Sequence, residues 1–517
     1  MYRYRWGFGL VVLAALAVGA LALGPGVLGP RVGAPPSPPA TPDQGSAGTR
    51  AAATLSSLVV TPDQGPAGTR IQVAGTGLPP QARVTFLWYT AGGRYRTDVD
   101  PGGVVFHGYA YDPMKAVLGD AVADSQGRAV VSFSTPDDLA GPHRISAAVG
   151  DREVAQGLFH YLRSATMTPL RGPVGTPIDI TIHGLGPAPW NAAALSYDNH
   201  YIGFVSAVTT HGTAHVRIRA AGTPGPHYID LNSASNATPF LNSGQGPGLE
   251  LLRIVSHRSW TFTVTEGTTF PPTQVEWPAA DRVARLGPDA PRTTAPQSQP
   301  ASGISLALTP TSGLTLSRVE VRAKGLRPGE QAQIVWGTMG RGTRLTTMPS
   351  VETQPLLAAA AAPDGALSGQ FVVPHDLGGW HTIQLVRDGS VLAYAPYFVA
   401  RNLVAVTPSR VRAGQQFKVE LRGIGWTELD NGVAVTYDNA YAGYACGFNA
   451  RGDVIFSLTA SGAPGVHLID LYPMIYQGKG EPPWSYQVPH LTALEDAPGL
   501  ALGYPLPIFR LAVVVTP

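Results

Sequence analysis

Two segments far apart in the chain carry the same chemistry-bearing residues at the same spacing. Tyr197-Asp198-Asn199-His-Tyr201 returns as Tyr437-Asp438-Asn439-Ala-Tyr441. Thirty residues after its first Tyr, each segment reads His-x-Ile-Asp, giving His227 and Asp230 in one and His467 and Asp470 in the other. Two carboxylates, an amide, an imidazole and two phenols could therefore converge twice. Oxygen ligands of this kind suit calcium, and a Tyr face beside carboxylates suits a sugar ring. The plainer reading takes precedence over both: Asp-Asn forms a hairpin turn, because both residues tolerate left-handed backbone geometry, and the later Asp satisfies a backbone donor. No catalytic residue, metal or cofactor is assigned.

Such a set can act together only if the strand ending at Tyr-Asp-Asn lies beside the strand carrying His-x-Ile-Asp. In a sandwich module these two strands are expected to be sheet neighbours. A Thr-Pro pair after an apolar strand opens four segments, at Thr61-Pro62, Thr168-Pro169, Thr309-Pro310 and Thr407-Pro408. From each Pro to a Gly closing the next strand (Gly77, Gly186, Gly325, Gly425) the spacing is 15, 17, 15 and 17 residues. Gly-x-His-x-Ile then recurs with His143, His227, His381 and His467, each preceded by a turn glycine (Gly127, Gly212, Gly365, Gly452) 16, 15, 16 and 15 residues earlier. The alternation defines two module types in the order A-B-A-B, a duplicated pair. The A modules have Ser146 and Gln384 where the B modules have Asp230 and Asp470, so the polar set is B-specific. The His common to all four is read as a packing or capping residue.

Within modules, Arg70-Ile-Gln-Val-Ala74, Ala214-His-Val-Arg-Ile-Arg219 and Gln416-Phe-Lys-Val-Glu-Leu421 alternate polar and apolar with period two, the pattern of half-buried strands. Only Leu356 to Ala362 is Ala-rich, and it is too short for a convincing helix. Short strands, modules near 100 residues and Gly/Pro turns predict an all-β chain of tandem immunoglobulin-like β-sandwiches after an apolar N-terminal leader helix. The expected organisation is a signal peptide or membrane anchor over 1–24 and a Pro/Ala/Gly-rich stalk over 25–56. Module A1 then spans 57–163, B1 164–266, a Pro-rich linker 267–303, A2 304–400 and B2 401–517. The linker is expected to act as a semi-stiff hinge between two rigid pairs.

The opening Val60-Thr-Pro-Asp-Gln-Gly-Pro-Ala-Gly-Thr-Arg-Ile-Gln-Val-Ala-Gly-Thr-Gly77 resembles the start of an IPT/TIG domain, and Met167-Thr-Pro-Leu-Arg-Gly-Pro-Val-Gly-Thr-Pro-Ile-Asp-Ile-Thr-Ile182 resembles it nearly as well. The second pair lacks the Gly-Pro-x-Gly-Thr core. The resemblance covers about twenty residues per module. It implies an extracellular or accessory immunoglobulin-like sandwich in a bacterial-type secreted or surface protein, and it carries over no catalytic residues.

Composition narrows the partners. Of 517 residues, 61 are Gly and 48 Pro, and charged residues make only 14%, against about 25% in typical domains. A hydrophobic content of 44% and a mean hydropathy of +0.04 exclude a disordered polymer. Arg3 and Arg5 precede an uncharged apolar run over Trp6 to Leu23, and Ala20-Leu21-Ala22 offers a small-x-small cleavage pattern. Cleaved or retained, this leader directs the remainder outward, so the chain is expected outside the cell or at its surface. Without those two arginines, 34 basic residues balance 34 acidic ones. Near neutrality excludes a nucleic-acid partner and confines membrane contact to an uncleaved leader. The single cysteine, Cys446, cannot form an internal disulfide and is expected as a small buried side chain, the alternative being a free thiol for an intermolecular bridge.

No nucleophile elbow, zinc-binding helix motif, paired-cysteine motif, phosphate loop or dinucleotide fingerprint is present. Arg451-Gly452-Asp453 spells an integrin-binding tripeptide, but Gly452 is the repeated turn glycine, so the match is read as chance. The expectation is a non-enzymatic cell-envelope protein for surface display, adhesion or binding, with a cell-wall or extracellular glycan or protein as partner. A second reading is a polysaccharide-binding accessory protein using the B-module residues. A third is a glycoside hydrolase-like enzyme whose acidic pair is assembled only by the fold.

Overall fold

Alternation along each strand sets the architecture. In Pro177–His183 the side chains of Ile178, Ile180 and Ile182 are fully buried while Asp179 and Thr181 face outward, and Gln416–Arg422 buries Phe417, Val419 and Leu421 in the same way. One face of each sheet is apolar, so two sheets must close on each other. The computed structural model describes residues 56–100, 103–187, 192–235, 237–241, 257–267, 270–283, 303–340, 351–427, 429–475, 487–496 and 505–517. The leader, the stalk up to residue 55 and residues 284–302 lie outside them. Among the described residues nearly all regular structure is strand, the exceptions being Ala280–Val283 and a 3₁₀ turn at Phe448–Ala450. No helix among them is long and apolar enough to cross a membrane.

The chain is all-β, built as tandem immunoglobulin-like sandwiches. In B1, Ser164–Thr168, Pro177–His183 and Ala214–Arg219 form one sheet. Facing it are Arg171–Gly172, Arg258–Val264, Gly225–Ser235, Ala192–Tyr197 and His200–Ser206, in that spatial order. B2 repeats the plan with Asn402–Thr407, Gln416–Arg422 and Val454–Thr459 against Arg410–Arg412, Ile508–Thr516, Gly465–Tyr472, Gly432–Tyr437 and Ala440–Cys446. The Thr-Pro pairs mark where the chain leaves one sheet for the other, and all four peptide bonds there are cis. Proline has no N–H to continue a ladder, so the strand ends and the next short strand joins the opposite sheet. The Ala-rich stretch at 356–362 supplies much of strand Val351–Ala360, paired with Gln331–Met339.

Each A module meets its B module through the same contact. A Cβ on Gly212 would lie 2.6 Å from the Asp138 carbonyl oxygen, and one on Gly452 would lie 2.7 Å from that of Asp376. Both glycines have φ of +81°, so the turn needs glycine for conformation and for close approach alike. Gly452 is buried by this contact, so Arg451-Gly452-Asp453 is part of a module junction. A His–Asp contact crosses each junction with the partners exchanged: His183 with Asp137 at 3.1 Å in the first pair, His375 with Asp453 at 3.7 Å in the second.

The expected hinge is not what the described part of the linker forms. Gln274–Glu276 adds to the B2 sheet as an antiparallel strand, Gln274 opposite Arg510 and Glu276 opposite Ile508. Arg410–Arg412 covers only the other end of Ile508–Thr516, from Val514 to Thr516, and an open edge is a ready pairing site. A1 also reaches across. Its strands Arg83–Asp100 and Gly103–Val122 form a long hairpin, and Phe106 packs with Leu429, Ile475 and Leu506 of B2, beside Trp380 and Phe398 of A2. Cys446 differs from expectation as well. It is exposed, because it ends Ala440–Cys446, an edge strand of the B2 sheet.

Candidate functional site

The Asp-Asn pairs adopt the geometry of a two-residue hairpin turn. Asp198 and Asn199 have φ of 48° and 64°, and Asp438 and Asn439 repeat both values. Positive φ at both central positions matches the twist of the flanking strands. The strands are neighbours, as expected of a sandwich: Tyr197 lies opposite Ile229 and Ser196 opposite Asp230, with Tyr437 opposite Ile469 and Thr436 opposite Asp470.

The first Asp, the Tyr and the His of each set form one unit. The Asp198 carboxylate lies 2.6 Å from His227 Nδ1 and accepts from the Tyr228 backbone N–H at 2.9 Å. The Tyr197 ring stacks on His227 at 5.5 Å, and its hydroxyl donates to the Ala221 carbonyl at 2.8 Å. In B2, Asp438 holds His467 Nδ1 at 2.5 Å and the Leu468 N–H at 2.8 Å, while Tyr437 stacks on His467 at 5.5 Å and donates to the Ser461 carbonyl. Burial works to lower the His467 pKa, but the Asp438 carboxylate outweighs it and the net shift is upward. Both nitrogens of His467 face acceptors, Asp438 and the Ala463 carbonyl, so the protonated ring donates to both.

The A modules use the same His with different partners. His143 Nε2 lies 2.7 Å from the Leu139 carbonyl, and His381 Nε2 2.8 Å from that of Leu377. Trp88 stacks on His143 at 4.5 Å and Trp336 on His381 at 4.4 Å, and the two indoles donate to Asp138 and Asp376. In all four modules one ring nitrogen meets the carbonyl four residues earlier, that of Thr223 and Ala463 in the B modules. This histidine is a clasp that ties a loop to its strand.

The second aspartates have different surroundings. Asp470 is 1% exposed. It pairs with Arg219 of B1 and, at 3.0 Å, with Arg510 of B2. Arg510 also donates to Glu276 and to the Arg217 carbonyl, both at 2.9 Å, and to the Tyr472 hydroxyl at 2.6 Å. Asn439 donates to the Arg219 carbonyl at 2.7 Å. Tyr201 and Tyr441 meet edge to face at 6.4 Å, their hydroxyls donating to the carbonyls of Ala237 and Gln487. Asp230, by contrast, faces His257 Nε2 at 3.1 Å, and Asn199 is exposed. The fold thus brings Tyr441 of B2 against Tyr201 of B1 and Asn439 and Asp470 of B2 against Arg219 of B1, and leaves Asn199 and Asp230 outside that contact.

Sequence reasoning missed Arg219 and Arg510. A signal was present, because the registers place Thr459 and Ser259 at the equivalent positions, so each Arg breaks the repeat. It also missed a junction of A1, B1 and B2. Ser206 Oγ donates to Asp496 Oδ2 at 2.6 Å and stands 2.8 Å from His490 Nε2, and Tyr95 donates to the same Asp496 oxygen at 2.6 Å. Thr209 N–H donates to Asp496 Oδ1 at 2.7 Å. In a nucleophilic triad the imidazole takes the hydroxyl proton and the carboxylate holds the imidazole. Here the hydroxyl donates to the carboxylate and Ser206 is only 3% exposed, so the group is a polar latch. His490 and Asp496 fall between strands Gly465–Tyr472 and Ile508–Thr516, in a stretch with no repeat counterpart to flag it. Among the described residues no three His, Cys, Asp or Glu side chains are grouped to hold a metal ion.

Comparison with known proteins adds little. No family model matches the chain, including the IPT/TIG type, and no curated protein matches it. Similar solved structures include Escherichia coli alpha-2-macroglobulin, at 10% identity and a TM-score of 0.17 over 88% of this chain and 30% of that one. The ICAM-5 D1–D4 ectodomain fragment aligns at 11% identity and a TM-score of 0.16, over 89% of this chain and 99% of that one. A putative membrane anchored protein from Corynebacterium diphtheriae aligns at 12% identity and a TM-score of 0.17, over 67% and 91%. This chain spans less than a third of the alpha-2-macroglobulin chain. At such TM-scores no residue role is carried across.

Proposed function

We propose that the chain is an exported, non-enzymatic cell-envelope protein that uses a joined array of sandwiches for surface display, adhesion or binding. The observation that carries this reading is the fate of the residues with chemical potential. Asp138, Asp376, Asp438, Asp470, Asp496 and the four repeated histidines hold strands or modules together. Such a framework presents its outer surfaces at fixed spacing. The basic and apolar leader supports export, and the short opening motifs support an IPT/TIG-type sandwich.

The test is to express the full chain with a C-terminal tag in a host that exports by the general secretory route, then to fractionate the cells and treat them with external protease. Tagged protein in the envelope or medium, accessible to protease, is the expected result. Retention in the cytosol would overturn the reading.

A second reading, a polysaccharide-binding accessory protein, keeps a foothold only in B1. There Asn199 is exposed, Tyr228 is half-exposed and Asp230 stands clear of the B1–B2 contact. Loss of glycan retention in Asp230→Ala would favour it.

A further inference from the structure

A cleft on the described surface is lined by none of the residues singled out as candidates from sequence, and touches them only through Arg510, the partner of Asp470. It has a volume of about 600 Å³, within the range of about 300–1,000 Å³ typical of small-molecule sites. Its floor is the outer face of the three-stranded B1 sheet, where two cross-strand polar pairs lie side by side. Arg217 donates to Asp179 through both Nε and Nη2, at 2.7 and 3.2 Å, and Thr181 Oγ1 stands 3.2 Å from His215 Nδ1. One wall is Glu276 and Trp277, where the added strand Gln274–Glu276 ends. Thr492, Leu494 and Glu495 of B2 also line it. Arg510 lies at the base, held by Asp470 and Glu276.

We infer that this cleft is a binding site for a short neutral oligosaccharide. A sugar ring offers two chemistries at once, an apolar C–H face and a rim of hydroxyls that both donate and accept. Trp277 is 44% exposed, an indole left at the rim that can lie against the C–H face. The planar carboxylate, guanidinium and imidazole groups of the floor present paired acceptors and donors to the rim. Three carboxylates, those of Asp179, Glu276 and Glu495, stand against the two guanidiniums of Arg217 and Arg510, and both guanidiniums are already ion-paired. A phosphorylated or sulfated ligand would find no free cation there, so a neutral one is favoured. The site exists only in the assembled chain, because B1, the linker strand and the C-terminal part of B2 each supply a wall. This inference deepens the binding reading above and rests on it.

The experiment titrates the intact exported chain, lacking only the leader, with neutral tri- and tetrasaccharides of glucan, mannan and arabinogalactan type, by calorimetry. At least one is expected to bind, with affinity reduced roughly tenfold in Trp277→Ala and reduced also in Thr181→Val, which removes one hydroxyl from the floor. Unfolding curves verify that each variant is folded, and Thr181→Val carries the test alone if Trp277→Ala is not. Absence of binding across the panel, binding unchanged in the folded variants, or a preference for phosphorylated sugars or peptides would overturn the assignment. Binding lost in Asp230→Ala but kept in Trp277→Ala would place the glycan on the B1 turn instead. Correct surface exposure without saccharide binding defeats the cleft alone, whereas cytosolic retention defeats the export reading alone.

Discussion

Arg219 and Asp470 form an ion pair inside the contact between the second and fourth sandwiches, with Arg510 on the other carboxylate oxygen. All three residues are buried. The sequence repeat presents Asp230 and Asp470 as equivalent, yet only one of them has two guanidiniums upon it.

That asymmetry makes the two aspartates respond differently to the same change. Asp470→Ala leaves Arg219 buried without a carboxylate and Arg510 with Glu276 alone, and is expected to cost about 3–5 kcal/mol. Asp230→Ala removes only the contact with a largely exposed His257 and is expected to cost about 1 kcal/mol or less. Among the described residues the Nε atoms of Arg219 and Arg510 have no hydrogen-bond partner, so the cluster is incompletely satisfied there. Replacing Arg219, Asp470, Arg510 and Glu276 together by apolar residues of similar volume, so that no charge of the cluster is stranded, should therefore cost less than Asp470→Ala alone. Urea unfolding of the four proteins checks the order, and equal losses at Asp230 and Asp470 would contradict it.

Acid should loosen the three-module junction. Complete burial lowers the His490 pKa from 6.5 to about 4, with Asp496 opposing the shift only in part. Between those values the unfolded chain holds a proton that the folded chain does not. Stability therefore falls as pH drops through that window, by about 3 kcal/mol in full. The same unfolding measurement repeated from about pH 7 to pH 4 should show this slope, and His490→Gln should flatten part of it.

His467 works in the opposite sense. Its folded pKa is raised by Asp438 despite burial, so its contribution is fully present below the unfolded value and is lost as pH rises through the folded one. Asp438→Asn should abolish that dependence and return the His467 pKa towards or below its ordinary value, which an NMR titration of the ring protons reads directly. An unchanged titration would mean that Asp438 does not hold the imidazole.

Gly93 permits the A1 hairpin to close on B1. A Cβ there would lie 2.1 Å from the Val208 carbonyl oxygen, a backbone atom that cannot swing aside. Gly93→Ala is expected to cost about 1–3 kcal/mol and to separate Tyr95 from Asp496. Hydrogen exchange should then rise in the outer half of the hairpin and around Thr209, while strands Arg70–Gly75 and Ala129–Ser134 stay protected. Exchange unchanged at Thr209 would contradict the role of this close approach.

Much of this protein is decided by local sequence. Period-two alternation in Pro177–His183 and Gln416–Arg422 puts one face of each strand in a core. The four repeated Thr-Pro pairs each end a ladder, and Asp-Asn makes a two-residue turn from its own backbone preferences. The sandwich plan then makes the strands of Tyr197 and Ile229 neighbours, and the repeat gives B2 the same pairing. What local sequence could not decide is which polar residues face one another across modules. Asp470 is buried because Arg219 arrives from 251 residues away and Arg510 from 40, and Ser206 meets Asp496 across 290. The linker pairs with B2 because Ile508–Thr516 has an unfilled edge, and Cys446 is exposed because its strand is itself an edge. Burial and charge pairing depend on all the surfaces that meet at a point, so residues identical in the repeat acquire different roles once the modules pack.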